Sequence, residues 1–179
     1  MPLKYQVPDD KKVRVIVDSD AACEADDPFA IAHALLCDKF IVKAIFAEHF
    51  NCEGSMKQSF EEIQRVVKAM KKEVPVLMGE IGKMSEKGTG EISEASSFLI
   101  REALREDDKP LYVLCIGAIT NIASAIQACP DIVPRMTVVW IGGQSHEHST
   151  GEVREFNAGN DIEAANLVLG SGVRFWQIP

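Results

Sequence analysis

Six apolar runs of strand length, separated by longer stretches of helical period, constrain this 179-residue chain more than any other feature. Strands buried on both faces read as near-continuous Val, Ile and Leu, and strand–helix–strand alternation marks βαβ units with a parallel sheet. The runs fall at Val13–Asp18, Ile41–Ala47, Val76–Met78, Leu111–Ile116, Thr137–Ile141 and Arg174–Gln177. Between them, helices are expected at Asp27–Leu36, Ser93–Arg105, Asn121–Ala128 and Ile162–Leu169. The clearest helix is SMKQSFEEIQRVVKAMKKE, with Ser55 as its N-cap. There Met56, Phe60, Ile63, Val67 and Met70 recur at helical spacing and form one buried stripe. The pattern predicts a single α/β domain over residues 1–179, an open, mostly parallel, Rossmann-like sheet with helices on both faces.

Two segments carry further expectations. Residues 79–91, GEIGKMSEKGTGE, are glycine-rich and aperiodic, which predicts a surface loop near the sheet's edge. The final GVRFWQIP reads as a strand being entered, so the fold is expected to be incomplete at its C-terminal side, with an apolar edge for another chain or segment to cover.

A formal net charge of −8 argues against nucleic acid as a partner, since phosphate backbones are bound by clustered Lys and Arg. Lys68, Lys71 and Lys72 do cluster, but at a helix end where cations suit the dipole. Cys23, Cys37, Cys52, Cys115 and Cys129 show no CxxC pair and no zinc-ligand register, and read as free cytosolic thiols. The N-terminal MPLKYQVPDDKK lacks the apolar core of a signal peptide, and no run approaches a membrane span. A cytoplasmic protein is expected.

In an open parallel sheet, ligands collect outside the carboxyl ends of the strands. There VDSDAACEADD, residues 17–27, places five carboxylates in eleven residues. Carboxylates so close cannot all ionise cheaply without a cation, and hard oxygen donors suit Ca²⁺ or Mg²⁺. Helix capping accounts for Asp26 and Asp27 but leaves Asp18, Asp20 and Glu24 unexplained, and spacing alone keeps both readings open. A second turn at a strand end, LCIGAITNIASAI, brings Thr120, either an N-cap or an oxygen donor to the same crevice. A third segment is WIGGQSHEHSTGEVREFNAGNDIEAA. Its Gly142 and Gly143 permit close backbone approach, and Glu155 with Asn157 offers a carboxylate and an amide suited to sugar hydroxyls. His146 and His148 lack the i, i+4 spacing of a helical zinc motif and read as solvated.

Taken in order, these segments resemble the calcium-dependent nucleoside hydrolases, the inosine-uridine-preferring N-ribohydrolase family, from about Val13 to Leu169. VDSDAACEADD is similar to the family's amino-terminal aspartate motif, GAITNIASAI to its Gly-x-x-Thr-Asn turn, WIGG to its next strand and glycine pair, and EFNAGNDIEAA to its ribose-binding segment. The resemblance implies a nucleoside-hydrolase-like fold and hydrolysis of a ribonucleoside to ribose and free base, a salvage reaction. It also implies Ca²⁺ as cofactor. Asp20 would be general base and calcium ligand, Asp27 a calcium ligand through both oxygens, and Thr120 a ligand through its backbone oxygen. Asp26, Glu155 and Asn157 would hold the ribose, and Asn51 falls near the family's ribose-binding asparagine after the second strand. Calcium would fix and acidify a water, and Asp20 would take its proton during attack on the anomeric carbon, through an oxocarbenium-like transition state.

The sequence departs from the family in three places. Ala21 to Ala25 make a longer gap between Asp20 and Asp26 than the commonest motif has, so Glu24 stands where an aspartate would fall. Ser149 stands where an asparagine often precedes the ribose-binding Glu155. Family members are also longer, and their later portion supplies a His-Asp pair. Weak metal affinity and little turnover by this chain alone are therefore expected, with a homo-oligomer or association with a C-terminal segment to complete it. Two alternatives stand beside this reading. VIVDSD after a buried strand is also similar to the haloacid-dehalogenase-like Mg²⁺ phosphatases, with Asp18 as nucleophile and Asp20 as acid. The other is a ribose- or nucleoside-binding relative without catalysis.

Overall fold

Val15, Ile16 and Val17 expose almost no surface because β1 (Val13–Ser19) runs through the middle of a six-stranded sheet covered on both sides. The structure, a computed structural model, describes residues 6–86, 92–145 and 155–179. The other strands are β2 (Phe40–Ala47), β3 (Val76–Met78), β4 (Leu111–Cys115), β5 (Met136–Ile141) and β6 (Arg174–Ile178). All pairings are parallel, in the order β3-β2-β1-β4-β5-β6. The chain winds outward from β1 to β3, returns to β4 beside β1, and winds outward again. This reversal opens a crevice at the carboxyl ends of β1 and β4, where the connections leave toward opposite faces. Register aligns those ends, with Ser19 opposite Ala47 and Asp18 opposite Cys115.

Helices α1 (Asp26–Leu36) and α2 (Ser55–Ala69) cover one face, burying Ile31 and Ile63 against Val15, Val17 and Ile45. On the other face lie α3 (Glu94–Leu104), α4 (Thr120–Ala128), the short α5 (Phe156–Asn160) and α6 (Ile162–Gly170). Leu99, Ile122 and Val168 pack there with Ile16, Phe46, Val113 and Trp140. Each fully buried aliphatic side chain contributes roughly 1.5–3 kcal/mol. The first seven residues of α4 are all buried, which its Ala and Ser side chains permit by letting the helix lie close against the sheet. Near the amino end of β1, Arg14 is buried and donates to Glu102 Oε1 at 3.0 Å and to the Lys109 carbonyl at 2.9 Å. Among the described residues, no helix is long and apolar enough to cross a membrane.

All six strands lie where the apolar runs placed them, within one residue at each end. Three local expectations are corrected. Ser55 is not the N-cap of α2 but its first residue, after Gly54 at φ 73°, and its hydroxyl accepts from the Phe50 N–H at 3.1 Å. Residues 79–91 are not a surface loop throughout, because Gly79, Glu80 and Met84 are buried and residues 84–86 form a 3₁₀ turn. Glu80 explains this, since its carboxylate accepts from the Ser93 N–H and the Ser96 hydroxyl at the start of α3, pulling the segment inward. The remainder of that stretch, 87–91, lies outside the described residues. Thr120 opens α4 without capping it, its hydroxyl being committed elsewhere.

Candidate functional site

The crevice between β1 and β4 is where the acidic motif arrives. Leaving β1, Asp20 turns against the β4–α4 connection so closely that a Cβ on Gly117 would sit 2.8 Å from Asp20 Cγ. Asp20 is 3% exposed, yet its buried Oδ2 has no hydrogen-bond partner. Asp27, at the start of α1, is also buried and accepts a hydrogen bond from the Ser19 hydroxyl. Burial, and then the charge of Asp27, push the Asp20 carboxyl up to about 8. Burial and the nearby Asp26 and Glu24 charges push Asp27 up to about 6. Both carboxyls are therefore held against ionisation, although Asp26 and Glu24 themselves lie exposed on the rim.

Behind these two lies a buried layer of polar side chains. Asp18 is wholly buried, with Oδ1 accepting from Asn121 Nδ2 at 2.8 Å. Burial raises Asp18 to about 7 and lifts the adjoining buried Glu48 well above the usual carboxylate range, so the pair retains a proton. Glu48 accepts from the His49 N–H at 3.0 Å and from the Asn121 N–H at 3.1 Å. Asn121 also donates to the Ala47 carbonyl at 3.1 Å and accepts from the Glu80 N–H at 2.7 Å. This one side chain thus ties the ends of β1, β2 and β3 together. Thr120 is wholly buried beside it, its hydroxyl donating to Asp161 Oδ2 and meeting His49 Nε2.

On the far side of the crevice, Glu155 caps α5 through the N–H groups of Asn157 and Ala158, and accepts from the Gly143 N–H at 2.7 Å. Asn157 Nδ2 donates to the carbonyls of Ile141 and Ile116, at 2.9 and 3.3 Å. Asn157 therefore bridges the ends of β4 and β5, on the carbonyl just before the Gly117 that Asp20 touches, while Glu155 stands beyond β5 at Gly143. Asn51 is exposed in the β2–α2 loop with φ 57°. His146, His148 and Ser149 lie outside the described residues.

Among the described residues, no three His, Cys, Asp or Glu side chains form a group that could hold a metal ion by themselves. The chemistry present is a pair of buried, mutually repelling carboxylates, one with an unpartnered oxygen. Such a pair fits a hard cation whose remaining ligands come from backbone, water or sugar oxygens. Cys23, beside Asp20, is pushed up to about 11 by burial and the surrounding acids, which keeps its thiol protonated and unreactive.

These pKa directions carry a pH prediction for the metal-free protein. Asp20 and Asp27 bind protons more tightly folded than unfolded, so their contribution is complete below about pH 4 and declines as pH rises to about 8. With a chelator present, the urea midpoint should fall between pH 5 and pH 8, and saturating Ca²⁺ should flatten the decline. A chelated midpoint that rises with pH would contradict this.

Sequence reading did not find Glu48, His49, Asn121 or Asp161 as parts of the site. The available signal was EH following directly on the apolar run of β2, since polar residues at a strand's carboxyl end face the crevice rather than the core. Asp161 carried no such signal, because it reaches Thr120 only through the tertiary placement of α6.

Residues 15–179 match the family model of the inosine-uridine preferring nucleoside hydrolases. Over 82 residues the chain is 37% identical to the non-specific ribonucleoside hydrolase RihC of Escherichia fergusonii, a match covering 45% of this chain and 27% of that protein. Its backbone is similar to that of an inosine-guanosine nucleoside hydrolase, with TM-score 0.75 and 24% identity, over 93% of this chain and 59% of that one. A purine-preferring ribonucleoside hydrolase from Gardnerella vaginalis gives TM-score 0.71 at 23% identity, over 92% of this chain and 60% of that one. The chain thus spans about three-fifths of the length of these structures.

Proposed function

The chain belongs to the inosine-uridine preferring nucleoside hydrolase family, and from that premise we propose that it binds ribonucleosides at the β1/β4 crevice and hydrolyses their N-glycosidic bond. The observation that carries this is Asp20, a buried carboxylate with an unpartnered oxygen, within reach of the charge of Asp27 and packed against Gly117 in the turn that leads to Thr120. Asp20 is the general base and, with Asp27 and the Thr120 backbone oxygen, would hold a calcium ion. When bound, the ion supplies positive charge that lets both carboxylates ionise together, and it acidifies nearby water.

The remaining chemistry belongs to the chain's own residues. Asp20 accepts a proton from the attacking water as its oxygen bonds to the anomeric carbon, and the base departs with the electron pair of the broken C–N bond. Positive charge grows on the ribose as that bond breaks, and the carboxylates of Asp20, Asp26 and Asp27 stabilise it. Asn51, Asp26, Glu155 and Asn157 orient the sugar hydroxyls. Glu155 and Asn157 suit this role because both are anchored by backbone groups, so little side-chain freedom is lost on binding.

The phosphatase alternative loses its nucleophile in this geometry. Asp18 has no exposed surface and is hydrogen-bonded to Asn121, so it cannot reach a phosphate. Reducing-sugar release from inosine and uridine, with Ca²⁺ against chelator, tests the proposal, alongside aryl-phosphate hydrolysis with Mg²⁺. Calcium-dependent ribose release supports it. Phosphate release, or no sugar release with no sugar binding, overturns it. Gly117→Ala should lower the release rate about 100-fold, because its Cβ would displace the Asp20 carboxylate. Wild-type rates in that variant would place the base elsewhere.

A further inference from the structure

His49 is buried between two parts of the site that belong to different loops. Its Nδ1 lies 3.2 Å from the Asn51 backbone nitrogen, and its Nε2 lies 2.9 Å from Thr120 Oγ1. A backbone N–H can only donate, so Nδ1 must accept and carry no proton. The ring's one proton then sits on Nε2 and points at the Thr120 oxygen. Thr120 passes its own proton on to Asp161 Oδ2 at 2.8 Å, and Asp161 is further held by the Met84 and Ala164 N–H groups. Glu48 Oε1, 3.6 Å from Nε2, reinforces the same tautomer.

We propose that His49 is a positioning residue, whose neutral Nε2–H imidazole links the Asn51 loop to the Thr120 turn and fixes the two at one spacing. Asn51 adopts φ 57°, a conformation reached by few non-glycine residues, and its N–H is turned back toward the ring two residues earlier. The loop after β2, held locally by the Ser55 hydroxyl, is thereby also tied to α4, a separate element. Thr120 in turn has its hydroxyl engaged by both His49 and Asp161, which fixes its rotamer at the start of α4. As far as it concerns sugar binding, this rests on the function proposed above. The linkage itself does not.

Two substitutions separate the ring's two contacts. His49→Asn keeps an acceptor near Nδ1 and loses the donor to Thr120, whereas His49→Gln keeps the donor and loses the acceptor. In the wild-type protein at neutral pH, ring ¹⁵N shifts should show the proton on Nε2. The Asn51 amide should exchange with solvent about tenfold faster in His49→Gln than in wild type, and close to the wild-type rate in His49→Asn. Ribose affinity, measured with Ca²⁺ present, should follow the same order. A proton on Nδ1, or equal Asn51 exchange in all three proteins, overturns the proposal, and the wild-type spectrum decides it even if both variants unfold. If no protein binds ribose while tautomer and exchange behave as stated, the linkage stands and the function proposed above falls.

Discussion

Asp20→Asn will lower ribose release by about 10²–10⁴-fold, the range associated with removing a general base, and in chelator it will raise the unfolding midpoint. The two changes have one cause. Asp20 is buried beside Asp27 with an oxygen that nothing in the fold satisfies, and its carboxyl is pushed up to about 8. Such a group destabilises the metal-free protein at neutral pH, and an uncharged amide of the same shape removes both the cost of burying a charge and the repulsion from Asp27. A residue kept for structure would behave oppositely, losing stability along with activity. Steady-state rates and urea midpoints on the same preparation separate the two cases. A variant that is both inactive and less stable in chelator would contradict the role assigned to Asp20.

Asn121→Ala is expected to cost roughly 3–5 kcal/mol, a loss near the upper end for a single substitution. The alanine would leave Asp18 Oδ1, the Ala47 carbonyl and the Glu80 N–H without their partner in a region closed to solvent. Removing one member of such a set exposes the full desolvation penalty of the others, which exceeds the net worth of the bonds themselves. The neighbouring Gly79 shows how tightly the region is closed, since a Cβ there would come within 2.5 Å of the Asn121 amide. Denaturant midpoints measure the effect. A loss under about 1 kcal/mol would mean that water or a rearranged side chain takes over these bonds.

The strands and their parallel pairing were legible in the sequence because a doubly covered sheet imposes apolar runs that nothing else in a chain of this length requires. The placement of Asp20 and Asp27 at a strand end was legible for the same reason, since the acids follow Val17 directly. The layer behind them was not. Asp18 reads as one more acid in a cluster, and only the tertiary fold reveals that it is buried and held by Asn121, a residue 103 positions away. Ser55 misled in the opposite direction. Serine before an apolar helical stripe is the usual cap signal, but Gly54 in the left-handed region takes the N-cap position before α2, and the Ser55 hydroxyl serves the Phe50 N–H instead. Glu80 was hidden because a glycine-rich stretch reads as loop whatever its side chains do, and a buried carboxylate that holds the start of α3 depends on a partner thirteen residues on.

Central to the proposed function is that a cation and a sugar share the crevice at the ends of β1 and β4. Isothermal titration of ribose into the protein, once with saturating Ca²⁺ and once with chelator, tests it most directly. Binding that appears only with Ca²⁺, matched by an equal tightening of Ca²⁺ when ribose is present, is the predicted result. Ribose affinity that is unchanged by chelator, or absent in both titrations, would contradict it.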